Sequence, residues 1–337
     1  MADDTPAIDE LAALLAIDAL AADEQADAEL RHGTFPAGLT DVVAALADAA
    51  EQRPPDALRA ATLRTALTRR PGGTPIGAAP SCPPAEAYAR TVAEFDQLLT
   101  ELTPDEWQAP AHAAHGTVRQ LVAHLTGVER LCRAWLDPDA APPVDPHLDH
   151  VASTRQVVDE FADVDARDVA TAWHDAAIGV STQAAAGDPN RAVSFHDITT
   201  SVDGLLVMRT FELWAHGMDI AFATGRPMPV LDDARMALMS SRLMAALPLA
   251  LAYRTGSVAQ GTVRFVLTGD AGGVYTVPLD MTAPGSQQPD VTIVTDVVDL
   301  CRVAARRLPA AELAASITGD RTLATAVLAG VDAFARD

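Results

Sequence analysis

The chain has 337 residues, 49% of them hydrophobic, and a formal net charge of -22. That length exceeds one typical domain and the apolar content can fill more than one core. The acidic balance excludes nucleic acid and anionic membrane surfaces as direct partners, because phosphate binding needs clustered positive charge.

The first seventy residues read as a small all-helical module. Ile8, Leu11, Leu14, Leu15 and Leu20 give one apolar stripe, Val42 to Ala50 a later helix, and Pro54-Pro55-Asp56 opens another over Ala57 to Arg69, with proline and acid both suited to a first helical turn. Residues 71–81, rich in glycine and proline, are a linker. Then Ala85 to Leu102 is amphipathic and stops before Pro104, and Thr117 with Gln120 forms a capping-box signature at the start of a helix carrying His124. A third long helix is expected within Thr154 to Ala186, interrupted near Asp163 to Asp168, and a fourth from near Ser201. Four long helices with short connections predict a bundle over 82–228.

From Leu231 the pattern changes. One more helix runs to about Leu251; Thr262–Thr268 and Gly273–Val277 read as a hairpin across glycine-rich turn residues, and Asp290–Thr295 as a third strand. Val297 to Arg307, Ala310 to Ile317 and Arg321 to Ala335 read as helical, so 229–337 is expected to be an α+β domain. The fold class is thus mainly α, with a helical N-terminal module, a four-helix bundle and an α+β C-terminal domain.

Cys82, Cys132 and Cys301 are widely spaced, with no C-x-x-C pair, which argues against a disulfide framework or a cysteine-built zinc site. The N-terminus lacks the basic start and apolar core of a signal peptide, and the longest apolar run, Met244 to Tyr253, contains Pro248 and falls short of the ~20 residues that span a bilayer. A soluble cytoplasmic protein without a membrane partner is expected. Cys132 and Cys301 sit in helical patterns as small hydrophobes, and Cys82 at the linker edge.

The chemistry gathers on Phe211-Glu212-Leu213-Trp214-Ala215-His216, where Glu212 and His216 stand four apart on one helical face and could grip one metal ion. Alone, such a pair reads as a surface ion pair, and His124 alone as a core histidine. Together on bundle helices the three make an open divalent-metal site, with zinc favoured although other first-row metals accept the same donors. Asp219, one turn beyond His216, either orients that ring or is a solvated helix-end carboxylate. His112, His115, His147, His150 and His174 read as loop or helix-surface residues, with His115 placed to approach the site. Trp135 and Trp214 read as core aromatics.

Thr117–Glu129, Phe211–Ile220 and the ending from Pro289-Asp290-Val291 to Gly319-Asp320-Arg321-Thr322-Leu323-Ala324 resemble the mycothiol-dependent maleylpyruvate isomerase family, a branch of the DinB-like metalloproteins with an appended α+β domain. The resemblance implies that His124, Glu212 and His216 hold the metal and that mycothiol is co-substrate: the thiol adds to a double bond, the bond rotates, and the thiol is eliminated, or in related members it is transferred to an electrophile. It also implies an arginine near the thiol site, for which Arg302 and Arg306 are the candidates.

Residues 1–70 resemble the sigma-binding domain of anti-sigma factors that restrain extracytoplasmic-function sigma factors, on Glu10–Glu24 and Pro54–Arg64, though without the H-x-x-x-C-x-x-C signature of zinc-binding members. This implies a regulator fused to a module that binds or turns over a thiol-linked small molecule, with a sigma factor as partner. Two alternatives stay open: an ordinary mycothiol-dependent isomerase or S-transferase with no role in transcription, and a sequestration device whose metal is structural.

Overall fold

A computed structural model describes residues 82–334 apart from 138, 140–149, 196–197, 258, 281–287 and 333. The expected N-terminal module and linker, and His147, lie outside the described residues.

The first described helix, α1 (Pro84–Glu101), begins with proline at its first position and buries Tyr88, Val92, Phe95 and Leu99 along one stripe. A hairpin of two very short strands, β1 (Pro110–His112) and β2 (Gly116–Thr117), leads into α2 (Val118–Leu136). The capping box at that junction is complete. The Thr117 hydroxyl accepts from the Gln120 backbone N–H, and the Gln120 side chain accepts in return from the Thr117 backbone N–H. The expected interrupted helix is two helices, α3 (His150–Glu160) and α4 (Ala166–Ala186), the second capped by Asp165. A second hairpin, β3 (Ala192–Phe195) and β4 (Ile198–Ser201), precedes α5 (Val202–Thr224), which Ser201 caps and Gly225 ends in the left-handed conformation. Helices α1, α2, α4 and α5 form the bundle, with α2 against α4, α1 against α4 and α5, and α3 laid on α2.

Helix α6 (Asp233–Thr255) runs past the expected end and carries Pro248 within it. By length and composition it could cross a membrane, yet half of its apolar window is buried, against the sheet and its neighbouring helices. In the sheet, β5 (Thr262–Thr268) pairs antiparallel with β6 (Gly273–Pro278) and parallel with β7 (Val291–Asp296), and β8 (Ala315–Gly319) lies on the far side of β7, giving the order β6-β5-β7-β8. Helix α7 (Val297–Ala304) follows directly, and α8 (Arg321–Val331) closes the described chain.

One expectation needs correction. Ala310 to Ile317 is not a helix: Ala310–Glu312 makes a single 3-10 turn, and Ala315–Gly319 is the strand β8, paired antiparallel with β7 from Val291↔Gly319 to Thr295↔Ala315. Alanine-rich helix propensity loses here to the open edge of β7, whose backbone groups β8 satisfies. The helix expected to reach Arg307 also stops at Ala304, and Arg306 takes a positive φ of 58°.

Two hydrophobic cores meet along α5. Leu205, Leu206, Leu213 and Ile220 pack into the bundle, while Val207, Trp214 and Met218 pack with α6, the sheet and its helices. A helix apolar on nearly every side is a buried one, and α5 is the element on which both halves rest. The capping box sets the start of the helix carrying His124, so Thr117→Ala is expected to lower stability by about 1 kcal/mol, read as a reduced urea midpoint with unchanged slope.

Candidate metal centre

Five histidines converge where β1, β2, α2, α3 and α5 meet. The His115 ring stacks on His124 at 3.9 Å between centroids, His112 stacks on His115 at 4.8 Å, and His216 meets His115 edge-on at 5.3 Å. His150 stands edge-on to His124 at 5.0 Å. Burial is near complete for three of them, with exposures of 7% for His115, 1% for His124 and 0% for His216.

The tautomers of two rings follow from their partners. The Thr154 hydroxyl donates to the Val151 carbonyl (3.1 Å), so at 2.6 Å from His124 Nδ1 it accepts that ring's N–H. His216 Nδ1 lies 2.9 Å from Asp219 Oδ2 and donates to the carboxylate. In both rings the lone pair is left on Nε2, and both Nε2 atoms are buried without a hydrogen-bond partner. A buried, unsatisfied nitrogen lone pair is costly unless something electrophilic meets it. Burial drives the His124 pKa down to about 3 against the opposing pull of Glu212, so the ring is neutral at pH 7, the form that binds a metal.

His124 belongs to two groups whose donor atoms lie within 4.8 Å of one another: His115, His124 and His216 form one, and His124, His150 and Glu212 the other. Donors at a tetrahedral ion with bonds near ~2 Å stand about 3.3 Å apart, so each group needs only a modest contraction to grip one. Nitrogen and carboxylate donors are what a zinc-like divalent ion selects. Of the three ligands expected from sequence, His124 is thus common to both groups, His216 stands in the first, and Glu212 in the second. Glu212 Oε1 lies 3.0 Å from His150 Nε2 and 3.8 Å from His124 Nε2.

Behind Glu212 is a buried charge network that the sequence reading did not identify. Arg209, one helical turn earlier on α5, donates to Glu212 Oε2 and to Glu129 Oε1, the latter at 2.9 Å; Tyr88 donates to Glu129 Oε2 at 2.7 Å. Glu129 is fully buried and Arg209 is 2% exposed. Burial pushes the Glu212 carboxyl up, but the Arg209 guanidinium and then His150 and His124 hold it well below the ordinary carboxylate range. Burial works against the Arg209 charge as well, and Glu129 and Glu212 overcome it.

Asp219 lies against His216, with Oδ2 at 2.9 Å from Nδ1. It is itself held by Arg307, whose Nε lies 3.0 Å from Asp219 Oδ1 and whose Nη2 lies 3.2 Å from His216 Nδ1. The arginine brought to the site is therefore Arg307. Arg302, in the last turn of α7, and Arg306, just beyond that helix, are the sequence candidates, and they pair instead with Asp299 at 3.4 Å and Asp332 at 3.9 Å. His115 lies beside His124 and His216. His150 is a correction, since it faces Glu212 and not solvent; the signal for it was its i, i+4 spacing from Thr154, which puts both on the α3 face that meets α2. His174 is on the α4 surface, 3.1 Å from Asp96. All three cysteines are buried, and burial raises each thiol, Cys301 to about 12, so none is a ready nucleophile.

Residues 88–221 match the family model of the mycothiol maleylpyruvate isomerase N-terminal domain, a span that contains His124, Glu212 and His216. Two crystal structures, of the mycothiol-dependent maleylpyruvate isomerase and of a histidine-to-alanine mutant of it, each align at a TM-score of 0.48 with 14% identity, over 69% of this chain and 91% of theirs. No curated protein matches.

Removing the guanidinium would leave the fully buried Glu129 carboxylate without its counter-charge, facing the half-buried Glu212. Arg209→Met is therefore expected to cost about 3–5 kcal/mol in chemical denaturation; a loss under about 1 kcal/mol would show that the network is hydrated and not buried.

Proposed function

We propose that this chain, with a mycothiol maleylpyruvate isomerase N-terminal domain at its centre, is a divalent-metal protein that activates a low-molecular-weight thiol, mycothiol, for addition to an unsaturated or otherwise electrophilic small molecule. The observation that carries this reading is the pair of buried, unsatisfied Nε2 lone pairs of His124 and His216, each fixed by a partner on its other ring nitrogen. His124, His216 and Glu212 would hold the ion, with zinc favoured by the donor set. A bound divalent cation lowers the pKa of a coordinated thiol from about 8.5, so that thiolate is available at neutral pH.

The chain's own residues supply the rest. Thr154 and Asp219 keep His124 and His216 in the tautomer that presents Nε2. Arg209 keeps Glu212 ionised, and Glu129 balances the arginine. Arg307 fixes Asp219 and brings a positive charge from the C-terminal half to the edge of the site, suited to an anionic substrate. For isomerisation, sulfur forms a bond to one alkene carbon while the π electrons move toward the conjugated carbonyl. Rotation follows about the resulting single bond, and elimination restores the double bond and returns the thiol. S-transfer would stop at bond formation and lose a leaving group instead.

Residues 1–70 extend the proposal. Their resemblance to sigma-binding domains makes the chain a regulator in which thiol or substrate occupancy biases release of a sigma factor, provided the two states bind that ligand with different affinity.

Two measurements test these halves separately. Metal analysis of purified protein is expected to give one divalent ion per chain, lost in His124→Ala and His216→Ala together with mycothiol-dependent turnover; Asp219→Asn should lower metal affinity or turnover by about 10–100-fold. Wild-type protein without a stoichiometric ion would remove the chemical reading. For the regulator, the full chain co-expressed with extracytoplasmic-function sigma factors of its genome is expected to retain one of them, and Leu11→Asp with Leu15→Asp to release it. If none is retained, the isomerase or transferase alternative without a transcriptional role stands.

A further inference from the structure

We infer that Glu129 is a positioning residue: it holds one edge of the Arg209 guanidinium, so that Glu212 keeps its Oε1 oxygen turned to His124 and His150 instead of surrendering both oxygens to the arginine. What this means for an ion rests on the metal reading proposed above.

The allocation of hydrogen bonds carries the inference. Arg209 and Glu212 stand three apart on α5, neighbours on one helical face, and an arginine beside a carboxylate commonly takes both oxygens through two parallel N–H bonds. Here it takes one. Arg209 meets Glu212 through Nη1 alone, at Oε2, while Nε and Nη2 both turn to Glu129 Oε1, at 3.3 and 2.9 Å. The Tyr88 hydroxyl donates to the other Glu129 oxygen at 2.7 Å and so fixes that carboxylate from α1. Oε1 of Glu212 is thereby left to the centre, 3.0 Å from His150 Nε2 and 3.8 Å from His124 Nε2.

Burial makes this division firm. Glu129 and Arg209 are both buried, so neither charge can turn to water, and among the described residues Glu129 and Glu212 are the carboxylates that pair with Arg209. Two carboxylates compete for one guanidinium. Released by Glu129, the guanidinium has Glu212 as its remaining charged partner, and that pair would close over both oxygens. Glu129 thus acts on the centre through Arg209 while touching neither histidine.

NMR of the full-length protein, isotopically labelled in its histidine ring nitrogens and stripped of metal by chelator, tests this without turnover. The His150 Nε2–H donated to Glu212 Oε1 is expected as a slowly exchanging downfield resonance, assigned by its loss in His150→Gln. Glu129→Gln is expected to abolish it and to weaken zinc affinity, read by chelator competition, by about tenfold or more. Arg209→Lys added to Glu129→Gln is expected to restore the resonance and to bring zinc affinity back to within about threefold of wild type, because an ammonium is a point charge without a fork for two oxygens. A residue that merely supported the fold would not be rescued by a second change in the same core. Should Glu129→Gln fail to fold, Glu129→Asp, which keeps the charge but draws it back by one methylene, is expected to weaken the resonance in the same sense. A resonance retained in the Glu129 variants, or lost and not restored by Arg209→Lys, would overturn the inference. Wild type without zinc affinity would remove the metal reading alone, since the resonance reports on Glu212 in the absence of an ion and would still decide the role of Glu129.

Discussion

A guanidinium buried between two carboxylates sets the terms for everything around it. Arg209 is 2% exposed, and a buried charge is tolerated only where partners and hydrogen bonds replace hydration. Glu129 from α2 and Glu212 from its own helix supply them, and Tyr88 from α1 occupies the remaining Glu129 oxygen. Three bundle helices are thereby tied through one polar contact inside an apolar core. Two carboxylates facing one guanidinium leave the cluster with an excess negative charge, turned by Glu212 toward the bare nitrogen of His124. A cation at that point would complete the electrostatic balance and meet the unsatisfied lone pairs together.

The site is assembled on α5, which among the described helices is the one shared by both cores. Arg209, Glu212, His216 and Asp219 project from successive turns of it, while its apolar faces are clamped by the bundle on one side and by α6 and the sheet on the other. A helix clamped on both faces cannot shift without repacking, which fixes the relative positions of its polar residues.

Support also arrives from outside the bundle. Helix α3 contributes Thr154 to His124 and His150 to Glu212, and the segment after α7 contributes Arg307 to Asp219. The C-terminal half is thus coupled to the candidate centre through an ion pair, and any ligand that engaged Arg307 would act on His216 through Asp219.

The sequence by itself determined the helices and their caps. The periodicity of Ala85–Leu102, the Thr117–Gln120 capping box, the Ser201 start of α5 and the i, i+4 spacing of Glu212 and His216 are all local, set by backbone hydrogen bonding and side-chain direction within a few residues. Tertiary structure decided the rest, because the deciding contacts span long separations. Ala315–Gly319 became a strand only because β7 offered an edge. Tyr88, Glu129 and Arg209 came together across 41 and 80 residues. His150, which reads as a surface residue, joins the centre, and Arg307, not Arg302 or Arg306, is the arginine that reaches Asp219. Local propensity fixes which face a side chain occupies, whereas the pairing of faces, and so the membership of a site, is settled by burial and charge balance among distant parts of the chain.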